Sequence, residues 1–260
     1  NIGIGVSALG ANTTAAEGTG VGDGCLAVNT TGALNSAFGA QTLAACTTGS
    51  ANTAIGGYAL NDLTTAAENV AVGATALASN TTASHNTAVG NAALTANTTG
   101  TNNVAVGAYT LDANTTASNN TAVGRDALTA NTIGFSNTAV GSLCLDAMVS
   151  GDYNVAIGTL SLSTDTTGNK STAIGYGALN VQNVTDGADM FNTAVGFSAG
   201  AAVTTGIRNT LIGASAGDAL TDADENEAFG YAALSTNVLG SASVAVGSFA
   251  LNLQNPASAV

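Results

Sequence analysis

The amino-acid sequence predicts an all-β fold, a parallel β-solenoid of about fifteen 17-residue coils. Glycines recur at this one spacing from Gly5 to Gly175 and again from Gly196 to Gly247. Each repeat also contains a short β-branched segment and, in most repeats, a turn rich in Asn and Thr. Self-similarity at a fixed short period is typical of stacked repeat architectures. We call one repeat a coil and number it so that this recurrent glycine is repeat position five.

Repeat positions one to five predict a β-strand. They read Asn-Val-Ala-Val-Gly at 69–73, Asn-Thr-Ala-Val-Gly at 137–141 and Asn-Val-Ala-Ile-Gly at 154–158. Large residues at positions two and four with Ala between them give the two-residue alternation of a strand. The alternating residue is small rather than charged, so we expect the second face to be covered too. Glycine at position five suits a sharp turn or a close approach of another backbone.

The rest of each repeat predicts a second strand and a return turn. Positions eight and nine read Ala-Leu, which we interpret as a short strand whose Leu points back toward the Val or Ile of the first strand. Positions twelve to fifteen commonly read Asn-Thr-Thr-Gly or Asn-Thr-Thr-Ala, a composition that favours an outward-facing turn. Helix is disfavoured because these features recur within every repeat and leave no helical window of normal length.

Stacking of coils is required for stability, because a single coil has too few apolar side chains to form a core alone. Parallel pairing with the coils before and after supplies the missing contacts. At about 4.8 Å per coil, fifteen coils predict a rod of roughly 70 Å.

Composition excludes several classes of function. Sixteen acids against Arg125, Lys170 and Arg208 give a net charge of −13, which disfavours nucleic acid and anionic membrane surfaces as partners. No apolar stretch approaches the roughly 20 residues that a membrane span needs, so we expect no membrane insertion. There is no phosphate loop, catalytic triad or acid/base pair, and His85 has no nucleophile partner in the sequence. We therefore expect no enzyme activity and no cofactor.

The three cysteines have no metal-type spacing. Cys25 and Cys144 occupy repeat position eight, where Ala is usual, so we expect small buried hydrophobic residues there. They lie seven coils apart, beyond the reach of a disulfide. Cys46 replaces the Asn of position twelve.

The motif Asn-Thr-Ala-Val-Gly followed by Ala-Leu resembles the head repeats of YadA-type trimeric autotransporter adhesins, and it also resembles repeats of phage-type tail fibres. The likeness covers essentially the whole chain. It implies a left-handed parallel β-roll assembled as a homotrimer, with the first strands near the threefold axis. The adhesin repeat is shorter than the repeat of this chain, and we expect no membrane-anchor barrel, coiled-coil stalk or chaperone domain, so attachment and assembly are not carried over.

From these observations we expect an extracellular structural or adhesive fibre on a cell surface or virion, whose outward turns present glycans or contact a cell-surface or glycan receptor. One alternative is a receptor-binding phage tail fibre. Another is a filament subunit that polymerises end to end. The filament is suggested because the chain starts at repeat position one and reaches Val260 without an obvious polar cap.

The repeat is least regular over residues 171–227 of the predicted single solenoid 1–260. Four extra residues fall within 186–190, and Gly200 and Gly217 replace the Leu of position nine. Such irregularities mark either projecting loops that bind a partner or tolerated changes in the core. The acidic residues that follow could hold Ca²⁺ through their oxygens or form a solvated turn. They are Asp218, Asp222, Asp224, Glu225 and Glu227.

Asn-x-Ser/Thr sequons recur along the chain and are candidate glycosylation sites. Those at repeat position twelve would form a row of exposed acceptors along one edge, unless Asn-Thr-Thr is simply the turn that the coil requires. The position-twelve candidates are Asn12, Asn29, Asn80, Asn97 and Asn114, and the others are Asn119, Asn169 and Asn183.

Overall fold

The computed structural model describes residues 1–253, which form three-residue β-strands joined by turns and bends. These residues contain no helix, as the sequence predicts. The chain end at Val260, on which the end-to-end expectation partly rests, lies outside the described residues. Two compact units follow one another along the chain, Asn1–Ile133 and Gly134–Val260.

The first unit is a stack of parallel strands, each paired with the matching strand of the next coil. Ala88 in β6, for example, is the partner of Ala105 in β7. The β-solenoid predicted from the repeat is therefore confirmed in this unit. Its strands are β1 (Ile2–Ile4), β2 (Thr19–Val21), β3 (Ser36–Phe38), β4 (Thr53–Ile55), β5 (Val70–Val72), β6 (Thr87–Val89), β7 (Val104–Val106) and β8 (Thr121–Val123).

The second unit is built in the same way, including the 21-residue coil. Thr172 pairs with Thr193, so the extra residues leave the strand register unchanged. Its strands are β9 (Thr138–Val140), β10 (Val155–Ile157), β11 (Thr172–Ile174), β12 (Thr193–Val195), β13 (Thr210–Ile212), β14 (Glu227–Phe229) and β15 (Val244–Val246).

The strands direct alanine, rather than valine or isoleucine, into the core. Ala88 at position three is fully buried, whereas Val89 at position four is 36% exposed. At Gly20, another position-three residue, a Cβ atom would lie 3.5 Å from Leu9 Cγ, so this position faces the Leu of position nine. The expected packing of Leu against the Val or Ile of the strand is therefore wrong. The interior of a coil is narrow, and a small residue fits opposite Leu.

Positions eight and nine do not form the expected second strand. They lie in a turn in which the residues at positions seven and nine have left-handed backbone, with φ of 62° at Tyr58 and 51° at Leu60. This conformation is unusual for bulky residues. It is held by bonds to the next coil, such as Leu60 N–H to the Ala76 carbonyl at 3.0 Å, and by complete burial of the Leu side chain.

Glycine at position five is required by the close stacking of the coils. Gly90 has φ of 142°, and a Cβ atom there would collide with the carbonyl of Gly107 in the next coil. Its N–H donates to the Val72 carbonyl of the preceding coil at 2.8 Å. The predicted close approach of two backbones is confirmed.

Candidate functional site

Each unit has an exposed apolar row on the outer strand face, defined here as the side chains at repeat positions two and four of the strands. Because strand side chains alternate, these residues point away from the buried alanine of position three. The position-four side chains form one row along each unit. Those at least 36% exposed include Phe38 at 41%, Ile55 at 42% and Val89 at 36% in the first unit, and Ile157 at 38%, Ile212 at 38% and Phe229 at 39% in the second.

The outer strand face is almost free of charge. Position two carries mostly Thr and Val, and position four carries Val, Ile and Phe. Among the described strands, Glu227 is the single charged residue on this face. Large exposed apolar patches are uncommon on monomeric proteins.

The position-twelve asparagines lie inside the coil and are not the exposed acceptors expected from the sequons. Asn29, Asn80, Asn97 and Asn114 are fully buried, and Asn12 is half-buried. Their amide nitrogens donate to the carbonyl three residues on, as Asn97 does at 2.9 Å to Gly100. The expectation of an exposed row is wrong, because these side chains point into the coil and hydrogen-bond to the backbone of their own turn. Where Asn-Thr-Thr occurs, it serves the turn of the coil, which was the alternative interpretation; other residues such as Cys46 and Gln182 take the place of the Asn elsewhere.

The remaining sequons differ in exposure. Asn169 is half-buried, donates to the Gly187 carbonyl at 2.7 Å, and its sequon ends at the buried Ser171. Asn119 is exposed, whereas the Thr of its sequon begins β8. Asn183 is exposed together with the Thr of its own sequon. It is therefore the most accessible of the eight candidates.

A second buried ladder, which sequence reasoning missed, is formed by the asparagines of position one. Asn86 N–H donates to Asn69 Oδ1 at 2.9 Å, and Asn86 Nδ2 donates to the Gly100 carbonyl at 2.8 Å. Its own Oδ1 accepts from the backbone N–H of Asn103 at 2.9 Å. Each amide thus joins its coil to both neighbours. The signal in the sequence was Asn directly before almost every strand.

The glycines at position nine are compensated by a larger residue in the strand. Gly200 and Gly217 keep the left-handed backbone of the usual Leu, with φ of 60° and 58°. The space that Leu would fill is taken by Leu211, which replaces the usual Ala at position three of β13. A Cβ atom at either glycine would lie 2.7 Å from a methyl carbon of Leu211. This irregularity is a rearranged core, the second of the two interpretations above.

A buried polar cluster lies where Ser171 replaces the asparagine of position one. The shorter side chain is balanced by Gln182, which is longer than the usual Asn of position twelve. Gln182 Oε1 accepts from Asn192 Nδ2 at 2.9 Å, the role that an Asn oxygen has in a regular coil. Gln182 Nε2 donates to Ser171 Oγ at 3.0 Å and to Asp165 Oδ2 at 2.6 Å. Burial raises the pKa of the Asp165 carboxyl, opposed by these hydrogen bonds.

The extra residues of the 21-residue coil form an exposed loop at 185–189, although Ala188 within it is half-buried. Lys170 Nζ forms an ion pair with Asp189 Oδ2 at 2.6 Å. The same nitrogen lies 5.2 Å from the centre of the Phe191 ring. Both charged side chains are about two-fifths exposed, so the pair contributes little to stability. The C-terminal part of the loop is joined to the preceding coil, where the Asn169 N–H donates to the Ala188 carbonyl at 3.0 Å.

The acidic residues proposed as a Ca²⁺ site have separate partners. Asp224 Oδ1 accepts from the Ile207 N–H at 2.8 Å and completes a turn. Glu225 pairs with Arg208 at 2.8 Å, with both side chains at least half exposed. Asp218 has its pKa raised by burial.

The two other members also lie apart. Asp222 is exposed and accepts from Thr221 Oγ1 at 3.1 Å, whereas Glu227 lies on the outer strand face. Within residues 1–253, no three His, Cys, Asp or Glu side chains come together as a metal would require. The five carboxylates do not form one cluster.

All three cysteines are free and buried, as expected for Cys25 and Cys144. Burial raises the pKa of each thiol to about 11. Cys46 Sγ lies 3.5 Å from the Gly49 carbonyl, in the place of an asparagine amide nitrogen. At neutral pH these thiols are almost entirely protonated and are weak nucleophiles.

No pocket is found in the described part of the chain. Searching the same residues for a membrane-spanning helix also finds none that is long and apolar enough. His85 is exposed beside Glu68, with Nδ1 3.1 Å from Oε2. The feature that stands out in each unit is the outer strand face.

Comparisons of the chain with models of known families, with curated proteins and with solved structures found no match.

Proposed function

We propose that this chain is a non-catalytic structural fibre component whose subunits associate through the outer strand face. The observation that carries the proposal is the row of half-exposed Val, Ile and Phe side chains at position four in both units. Burying such a row against another protein surface removes apolar area from water and stabilises the assembly.

The partner that we propose is further copies of the same chain, assembled as a homotrimer. Every coil presents the same residue types on this face, so identical chains would offer matching rows at the same spacing. The outer strand face has almost no charged residues, and the cores of protein interfaces are likewise poor in charged residues. Both the trimeric state and the left-handed winding of the solenoid are taken from the resemblance to trimeric adhesin repeats.

We further propose that the fibre is extracellular and adhesive. It is supported by the same resemblance and by the excess of acidic residues, which keeps neighbouring fibres apart in solution. Electron microscopy of the native particle distinguishes a cell-surface fibre from a virion fibre. Detection only inside cells would contradict an extracellular role.

The oligomer is tested by size-exclusion chromatography with light scattering. The expected mass is that of three chains of 24.9 kDa each. Val106→Lys adds a charge to the outer strand face in β7 of the first unit and should give monomers whose circular dichroism still shows β-structure. Thr99→Lys adds the same charge at an exposed turn residue and should leave the trimer intact.

A wild-type chain that is monomeric at all concentrations would overturn the proposed assembly. So would a Val106→Lys variant that folds and still forms trimers.

A further inference from the structure

The chain contains two Asp-Gly pairs, at 23–24 and 186–187. In such a pair the backbone nitrogen of Gly can attack the carboxyl carbon of Asp, because Gly has no side chain to hinder the approach. The reaction requires the peptide to rotate out of its usual geometry. Its rate in a folded protein therefore depends on how firmly the neighbouring backbone is held.

The pair Asp186-Gly187 lies in the exposed loop of the 21-residue coil. A Cβ atom at Gly187 would meet nothing within 4 Å, so the peptide has open space around it. Its N–H donates to a side-chain oxygen, Thr167 Oγ1, at 3.2 Å. The Ala188 N–H donates to Asp186 Oδ1 at 3.1 Å, which folds the carboxyl back over the peptide that would attack it.

The pair Asp23-Gly24 has the same sequence in a different environment. Gly24 is buried, and its N–H donates to the Val6 carbonyl of the preceding coil at 2.9 Å. The Asp23 carbonyl accepts from the Gln41 N–H of the next coil at 2.8 Å. A Cβ atom at Gly24 would lie 2.9 Å from Gln41 Cδ, so the space is filled. This peptide is fixed from both sides.

We propose that Asp186-Gly187 is a site of spontaneous backbone modification, in which Asp186 converts to isoaspartate through a cyclic succinimide. The Gly187 nitrogen forms a bond to Asp186 Cγ and loses its proton. The carboxyl loses one oxygen, which leaves with two protons as water. A water molecule then opens the ring at either carbonyl, regenerating Asp or giving isoaspartate. No oxidant, enzyme or other reactant is needed.

The position of the loop allows the coil to survive this change. In isoaspartate the backbone runs through Cβ and Cγ of Asp186, which adds one atom before Gly187, and the former main-chain carbonyl becomes a free carboxylate on Cα. Ring closure removes the bonds from the Gly187 N–H to Thr167 Oγ1 and from the Ala188 N–H to Asp186 Oδ1, and the Asn169 bond to the Gly187 carbonyl lies beside them. The pairing of β11 with β12 lies outside the loop and does not involve either residue.

The experiment is incubation of the intact protein at neutral pH and 37 °C, followed by peptide mapping with electron-transfer fragmentation, which distinguishes isoaspartate from Asp. We expect isoaspartate at residue 186 to exceed that at residue 23 by roughly tenfold or more, since the latter peptide must first open locally. A species lighter by one water should precede it. Asp186→Glu should abolish the product at this site, because Glu cyclises far more slowly.

A parallel incubation in denaturant supplies the control for local sequence. There the two sites should react within about twofold of each other, because neither peptide is held by neighbouring coils. Equal amounts at both sites in the folded protein, or none at residue 186, would overturn the proposal. The proposal would also be overturned if Asp23 stayed unreactive after denaturation, because the preference for residue 186 over residue 23 would then not come from the fold.

Discussion

At the scale of single residues, the irregular positions of this protein occur in compensating sets. Leu211 fills the space opposite Gly200 and Gly217, and Gln182 extends where Ser171 is short. Interiors are close-packed, so a change of volume at one position must be matched at its neighbour. The irregular residues of these coils are therefore explained first by packing in the core and not by binding of a partner.

Replacement of Leu211 tests the first of these sets. Leu211→Ala leaves a cavity beside two glycines and should lower the free energy of unfolding by about 2–5 kcal/mol. Gly217→Leu in the wild-type background should also destabilise, because its Cβ atom would lie 2.7 Å from Leu211. The double variant should lose less than the sum of the two, by about 0.5–3 kcal/mol. Urea denaturation measures all three.

The control for that cycle is Leu145→Ala, a buried position-nine leucine four coils away in the same unit. Its effect should add to that of Leu211→Ala within about 0.5 kcal/mol. If Leu211→Ala and Gly217→Leu were equally additive, the proposed compensation would be wrong.

Asp165 gives the protein a predictable pH dependence. Burial raises the pKa of this carboxyl, so the native state binds the proton more tightly than the unfolded state. The contribution of Asp165 to the free energy of unfolding is greatest at low pH. It falls as the pH rises from the pKa of the unfolded state, about 4, through the raised pKa of the native state. Asp165→Asn should remove this part of the slope in unfolding free energy against pH.

The informative quantity is the slope, because the amide of Asp165→Asn also changes the hydrogen bond from Gln182 Nε2. A slope that is identical in the wild type and in Asp165→Asn would show that Asp165 does not contribute to it.

At the scale of the coil, the backbone conformation is set by contacts with neighbouring coils. Leucines at position nine adopt left-handed backbone at a cost of roughly 1–2 kcal/mol each, which burial and the bonds between coils offset. The glycine of position five meets the carbonyl of the next coil at the closest approach. An isolated coil has neither constraint.

Two adjacent glycines test how strict this contact is. Gly56 has φ of 126°, and a Cβ atom would lie 2.6 Å from the Gly73 carbonyl; at Gly57 the nearest atom would be 3.9 Å away. Gly56→Ala should therefore cost on the order of 3 kcal/mol. Gly57→Ala should change stability by less than about 1 kcal/mol. Thermal and urea unfolding of both variants measure the difference, and equal effects would contradict the stacking argument.

The period of the repeat determines where the strands are, but it does not determine which strand face is buried. Alternation of Ala88 with Thr87 and Val89 fits either orientation. The choice depends on the width of the coil, which is set by Leu94 and its counterparts on the other side. Likewise, Ala-Leu fits a strand as well as a left-handed turn, and only the bonds between coils select the turn.

At the scale of the whole molecule, both units follow the same construction and expose the same outer strand face. The sequence motif predicted the fold class because each coil repeats the same local signals. It could not predict that four of the position-twelve sequon asparagines are fully buried, since Asn-Thr-Thr fits both an exposed glycan acceptor and a turn whose Asn side chain bonds inside the coil. The outer strand face itself became visible only once the strand orientation was known.

The unchanged register across the 21-residue coil has a consequence for how this protein can vary. The pairing of Thr172 with Thr193 shows that the corner between Gln182 and Met190 accommodates four additional residues while the adjacent strands stay aligned. The other coils of the second unit have the same turn between repeat position twelve and the next strand. We expect short foreign peptides inserted at this turn to leave the neighbouring strands in register, as the natural insertion does, and so to be displayed one per coil.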